Sequence, residues 1–492
     1  MRSNCLPFRA DSAAATAEFV RPQRYALRAS HSIARCSGLI AAVMLAGCMS
    51  APPSIDAPTT RASTAAIDLP LADPSAGVDM SLPAQRPESL PSNSALARDF
   101  MELSFSLESG RAIPQFSRFE GPITVSLGAG APASAPRELA RLVSRLRGEA
   151  GVPISVGASA QNHIQIDFVP RKQMSREVPN AACFVVPNVS GWDDYRAARR
   201  TARGDWTQVK QRVSATVFIP AEATPQEVRD CLHEETSQAL GPLNDLYRLP
   251  NSVWNDDNFH TVLTRYDMIQ LRATYAAELH SGMSAPEVQA KLPAVFARLN
   301  PAGGAVRGLR DDPTPRAYVS AVNRAIGPGN TGARRAAAMS AINLAAAQGW
   351  NDTRAAFGWF ALGRLSVQND PETALNAFAK AGNIYRATPG AGIQSAHVDM
   401  QLAAFALSAG RAQDAIALVN RAMTPALSGE NAALMATLYF IRAEAYDTLG
   451  NPAQAQQARV DSAQWARYGF GSDAAVRARA AEVAALARAG RG

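Results

Sequence analysis

No internal stretch of the 492 residues is apolar for long enough to span a bilayer. There is also no Lys/Arg stripe interleaved with aromatics, so nothing in the chain points to nucleic-acid binding. The formal charge of +7 overstates the basicity. Residues 1–47 hold six Arg against Asp11 and Glu18, a balance of +4, which leaves about +3 for the rest. Cysteine is scarce, with five in the chain, so a dense disulfide scaffold is excluded. What is present is ordinary for folded protein, 47% hydrophobic and 18% charged, in a chain longer than one core usually serves. Two domains plus tethers are expected.

The N-terminus reads as a leader. Arg24, Arg28 and Arg35 precede the apolar run SGLIAAVMLAGC at 37–48, a charged region followed by a short hydrophobic one. Leu45-Ala46-Gly47-Cys48 resembles the bacterial lipobox, which implies lipidation of Cys48, removal of residues 1–47, and anchoring by several acyl chains. Met49 after the Cys favours the outer membrane, periplasmic face, over the inner membrane. Residues 48–95 are rich in Ala, Pro, Ser and Thr and read as a disordered tether. Cys5 and Cys36 depart with the leader and Cys48 is the anchor. Cys183 and Cys231 remain, an even pair in an oxidising compartment, to be read as a disulfide or as two buried thiols.

From 96 to 300 the patterns alternate between strand and helix. GPITVSL (121–127), NHIQIDFV (162–169), ACFVVP (182–187) and VSATVFIP (213–220) read as strands, and APRELARLVSRLRGE (135–149) as a helix. A further helix begins with a capping box at Thr224-Pro225-Gln226-Glu227 and stops at Gly241-Pro242. Others follow over about 263–278 and after Ser284. The fold class expected here is α+β. After a linker and helix over 301–333, residues 334–492 are Ala-rich and helical. Loop residues Asn369, Gly410 and Gly450 stand 41 and 40 apart, and Ala374, Ala415 and Ala455 follow each by five. With Phe378, Ala381 and Pro389 this region resembles tetratricopeptide repeats, although the period exceeds that family's usual 34. The alternative is an irregular helical bundle. Repeats imply a concave face that recruits a protein or peptide partner.

The helix opened by Thr224 contains His233-Glu234-Glu235. Zinc peptidases place two His one turn apart with a Glu between them, because i and i+4 share a face. Here position 237 is Ser. Started one residue later, Glu234-Glu235-x-x-Gln238-x-x-Gly241-x-x-Asn244-Asp245 has Glu at the base position and Gly at the turn. Glu, Gln and Asn then stand where three His would be. The segment Asn251-Ser252-Val253-Trp254-Asn255-Asp256 follows like a metzincin Met-turn with Trp254 for Met. Leu263-Thr264-Arg265-Tyr266-Asp267-Met268-Ile269 through Tyr275 is similar to that family's next helix.

Residues 96–300 therefore resemble metzincin-like domains of an uncharacterised proteobacterial family. The resemblance makes Glu235 the candidate base, Glu234, Gln238 and Asn244 the degenerate ligand positions, and Trp254 and Asp245 the cleft. Gln and Asn offer only neutral carbonyl oxygens, so zinc is disfavoured and no cofactor is expected. On a helical wheel Glu227, Asp230, Glu234 and Gln238 form a polar stripe, most simply solvated. Glu235 falls with Val228, Leu232 and Ala239, where burial should raise its pKa. Cys231, one turn before Glu235, would tie this helix to the 182–187 strand. His233 reads as a flank residue. The expected function is an anchored protein that binds peptide in a degenerate protease-like cleft. A metallopeptidase with non-histidine ligands and a purely structural envelope scaffold are the alternatives.

Overall fold

A computed structural model of the chain describes residues 89–490 apart from 158–160, 180 and 309–311. The leader, Cys48 and most of the expected tether lie outside the described residues. The ordered chain opens with α1 (Asn93–Phe105), whose Ser92 side chain accepts a hydrogen bond from the Ala95 amide. Next come β1 (Ile123–Leu127), α2 (Ala135–Ala150), β2 (Ile154–Val156) and β3 (Asn162–Val169). The short α3 (Arg171–Glu177), β4 (Phe184–Pro187), α4 (Trp192–Ala198) and β5 (Ser214–Pro220) lead to α5 (Pro225–Leu240). Then α6 (Arg265–Thr274) and α7 (Ala285–Leu299) complete a first, mixed α+β region.

Five strands form one sheet in the order β2-β1-β3-β5-β4. All neighbours are parallel except β4, which runs antiparallel to β5 at the sheet edge. The alternation seen in the sequence has its usual cause, since successive side chains point to opposite faces. Ile123, Val125, Ile164 and Ile166 are buried in the core with Leu139 and Leu142 of α2 and Val228 and Leu232 of α5. On the other face Thr124 and Ser126 bond the two ring nitrogens of His163 at 2.8 and 3.0 Å. β2 was too short to stand out in the sequence.

The rest is helical: α8 (Arg316–Ile326), α9 (Thr331–Ala347), α10 (Thr353–Ser366), α11 (Pro371–Ala387) and α12 (Gly392–Ser408). α13 (Ala412–Ser428), α14 (Ala432–Thr448), α15 (Pro452–Phe470) and α16 (Asp473–Ala489) follow. Ala374, Ala415 and Ala455, the residues in common register, are all fully buried. No helix among the described residues is long and apolar enough to cross a membrane.

The α+β region packs against α10, α12 and α14. Phe259 inserts between Phe360 and His397, with ring centroids 5.0 and 4.9 Å away. The Gln394 amide donates to Pro250 O at 2.9 Å, and Thr353 Oγ1 donates to Tyr247 O. Gln226, near the start of α5, donates to Asn431 Oδ1 and accepts from the Ala433 amide. The helical region therefore supports the back of the site helix.

Candidate functional site

Local sequence fixes α5. Thr224 Oγ1 accepts from the Glu227 amide while Glu227 returns a bond to the Thr224 amide, the reciprocal cap expected from the sequence. At the far end Gly241 allows close approach to α6, since a Cβ there would lie 2.9 Å from Thr274 Cγ2. Arg212 closes that end: its guanidinium donates to the carbonyls of Gln238, Ala239 and Gly241 at 2.6–2.7 Å. It also stacks 4.8 Å from the Trp206 ring. Arg212 had no signal in the sequence, because capping of a helix C-terminus from a distant strand leaves no local pattern.

The positions highlighted by the metzincin resemblance divide. Ser237, where a zinc ligand was sought, accepts from Trp254 Nε1 at 3.0 Å and donates to Glu234 O. Trp254, which the sequence allows as cleft wall or as core, is fully buried. Asn244 donates to Glu102 O at 3.2 Å, which ties the expected third ligand position to α1. Gln238 directs its amide toward Asp245 Oδ2 at 3.5 Å. His233 Nδ1 accepts from the Leu263 amide at 3.1 Å, and burial lowers its pKa. His260 is held by the backbone of Gly390 and Pro250. Neither imidazole joins the cleft, so the donors present do not fit the family's three-imidazole zinc centre.

What does assemble is a group of carboxylates. Glu235, only 5% exposed, is pushed well above its ordinary range by burial, then by Glu234 and Glu108. Burial, then Glu108 and Asp256, raise Glu234 to about 8. Asp245 is raised by burial and by Glu108, Glu234, Asp256 and Glu235. Asp256 rises to about 7 through burial and Glu108. Glu108 lies in the exposed turn after α1, yet desolvation by the protein on its inner side still raises its carboxyl. The wheel placed Glu234 and Gln238 on a solvated stripe. In the fold Gln238 is buried and Glu234 half-buried, because the stripe from Asp230 onward faces the cleft and the helical region instead of water. Glu108 and Asp256 were missed by the sequence reading. Glu108 lies far upstream in an aperiodic turn, and Asp256 sits in an Asn-Asp-Asp run that looks like any polar loop.

The Cys183–Cys231 disulfide, with Cα atoms 5.9 Å apart, joins β4 to α5 beside Glu234 and Glu235. The turn 252–254 is pinned by Asp267, which accepts from Ser252 Oγ and from the Val253 and Thr264 amides.

These shifts set a pH dependence. Glu234 and Asp257, both raised to about 8, retain protons in the folded chain that the unfolded chain has already lost. Stability therefore falls as pH rises through 8 and levels off above it. Below about pH 6.5 the buried His233, His260 and His397, whose pKa values are all lowered, act in the opposite sense, so the carboxylates dominate only above it. Urea unfolding is expected to lose a few kcal/mol between about pH 6.5 and 8.5, roughly 2 kcal/mol for each group raised to about 8. Glu234→Gln should remove part of that slope, since Glu235, Asp245, Asp256 and Asp257 are raised as well. An unchanged slope in the variant would place the titration elsewhere.

The fold and site thus define an α+β domain with a cluster of buried and half-buried carboxylates, backed by a helical region. Residues 93–294 match the family described as a protein of unknown function, DUF2927, so the chain carries a DUF2927 domain followed by a helical C-terminal region. No curated protein and no solved structure matches the chain.

Proposed function

We propose that the chain is a lipid-anchored envelope protein whose DUF2927 domain binds a basic segment of a peptide in its acidic cleft, without zinc-dependent hydrolysis. The observation that carries this reading is that Glu234 and Glu235 are surrounded by further carboxylates. The charges that shift them, Glu108, Asp256 and Asp230, are all acidic. Crowded, half-desolvated carboxylates either hold protons or take up a positive partner, and a guanidinium or ammonium side chain relieves both repulsion and desolvation. The resemblance to metzincins supports a peptide as the bearer of that charge, and the poor ligand set argues against peptide cleavage. Read as tetratricopeptide-like repeats, the helical region braces α5 with its inner helices and leaves its outer helices to a partner. The lipobox resemblance supports attachment through Cys48 to the outer membrane.

Isothermal titration with a short Arg-containing peptide and its citrulline counterpart tests this. The Arg peptide should bind at least tenfold more tightly, lose affinity with added salt, and lose about tenfold in Glu234→Gln, about 1.4 kcal/mol. Equal binding of the two peptides would refute the proposal.

A further inference from the structure

At the base of the cleft Cys183 Sγ, a Glu234 carboxylate oxygen and a Glu235 carboxylate oxygen all lie within 4.8 Å of one another. The sulfur of Cys183 is bonded to that of Cys231, so a fourth donor atom lies one bond away, just outside this group. Cys231 precedes Glu234 and Glu235 by three and four residues on α5, the spacing that brings side chains to one side of a helix. Asp245, whose repulsion with both glutamates is noted above, has a buried Oδ1 without a hydrogen-bond partner. While the disulfide is intact the sulfurs carry no charge and the set is incomplete, because the thiolate is the form that ligates metal.

We propose that reduction of Cys183–Cys231 by a dithiol converts the base of the cleft into a binding site for a divalent cation of the zinc class. Its ligands are Cys183, Cys231, Glu234 and Glu235. In the first step the dithiol attacks the cystine; two electrons and two protons pass to Cys183 and Cys231, and the dithiol closes to its own disulfide. In the second step the cation displaces the thiol protons to solvent and forms two metal–sulfur bonds, with one oxygen from each glutamate completing four donors. Tetrahedral zinc sets neighbouring donor atoms about 3.5 Å apart. The carboxylates therefore need to draw in by roughly an ångström, within reach of glutamate side-chain torsions. The sulfurs, freed from their bond, move apart instead. Cys183 is half-buried, which leaves its sulfur the more open to an incoming dithiol.

These donors differ from the positions that the metzincin resemblance assigns, since only Glu234 is common to both. The inference is also separate from peptide binding, which is measured on the oxidised chain. Thiolate pairs favour zinc-class ions over calcium or magnesium, so the site discriminates by donor softness as well as by charge.

The test uses the full folded chain, either oxidised or reduced with dithiothreitol and then freed of reductant without air. Zn²⁺ uptake is followed by elemental analysis, and Cd²⁺ by its thiolate-to-metal ultraviolet absorption. The expected result is one metal per reduced chain with the thiolate band, and none per oxidised chain. Glu234→Gln and Glu235→Gln, which keep both sulfurs, should each weaken binding at least tenfold. Circular dichroism of the reduced chain should match that of the oxidised one. The proposal falls if reduced and oxidised chains bind alike, if no thiolate band appears, or if the Gln variants bind as tightly as the parent. It falls also if metal binds only to a reduced chain that has lost its helical signal.

Discussion

Arg212→Met is expected to lower the unfolding free energy by about 4 kcal/mol, among the larger effects a single substitution can have here. The guanidinium meets three backbone carbonyls at the end of α5 and the Ser117 hydroxyl, at 2.6–3.3 Å. Those carbonyls lie at the last turn and C-cap of the helix, where only Gln238 O also accepts a backbone bond, from the Gly241 amide, and they carry the negative end of its dipole. Methionine fills the space but offers no donor, so acceptors buried against β5 and α6 remain unbonded, each at a cost of about 1–3 kcal/mol. Part of the loss is offset, because burial of the cation is itself unfavourable; it pulls the Arg212 pKa down to about 10 while leaving the group charged at neutral pH. Arg212→Lys keeps a charge without the planar fork and should fall between the two. Guanidinium denaturation measures the difference. A loss under about 1 kcal/mol would mean that water satisfies the carbonyls unaided. Since Gln238 and Gly241 are among the residues held, the Met variant should also bind the Arg peptide less tightly than wild type.

The sequence announced α5 clearly, because its signals are local: Thr224 and Glu227 lie one turn apart, and Pro225 and Gly241 mark its ends. The buried register of Ala374, Ala415 and Ala455 was legible for the same reason, since a repeated environment leaves a repeated small residue. Glu235 was legible too, as the one acid on an apolar face. The cleft was not. A helical wheel separates polar from apolar residues but does not say what the polar side meets. Here it meets Glu108 from the turn after α1 and Asp256 from the loop before α6. Arg212 and Phe259 belong to the same class: each acts on an element distant in sequence, and neither side chain carries a pattern that names its target. Trp254, readable from the sequence as core or as cleft wall, is core, with its indole N–H donated to Ser237 Oγ.

Replacing both Cys183 and Cys231 by Ser is expected to lower the unfolding free energy by roughly 4 kcal/mol, the loop-closure value for cysteines 48 residues apart. The closed loop contains β4, α4 and β5, so in the unfolded chain the crosslink constrains two of the five strands. In the folded chain it does something more specific. β4 is the edge strand, paired to β5 over only four residues, and the disulfide is its covalent attachment to α5. Loss of the crosslink should therefore speed amide exchange most in β4. α5 itself remains held by Arg212 at one end and by the Gln226 bonds to Asn431 and Ala433 at the other. The double variant should thus stay folded, with exchange in α5 little changed, and reduced wild type should match it within about 1 kcal/mol by urea titration. Those measurements separate two roles for the cystine. If α5 unravels with β4, the crosslink holds the site helix; if only β4 loosens, the glutamates keep their positions while the sulfurs come free, which is the condition that reduction-dependent metal binding requires.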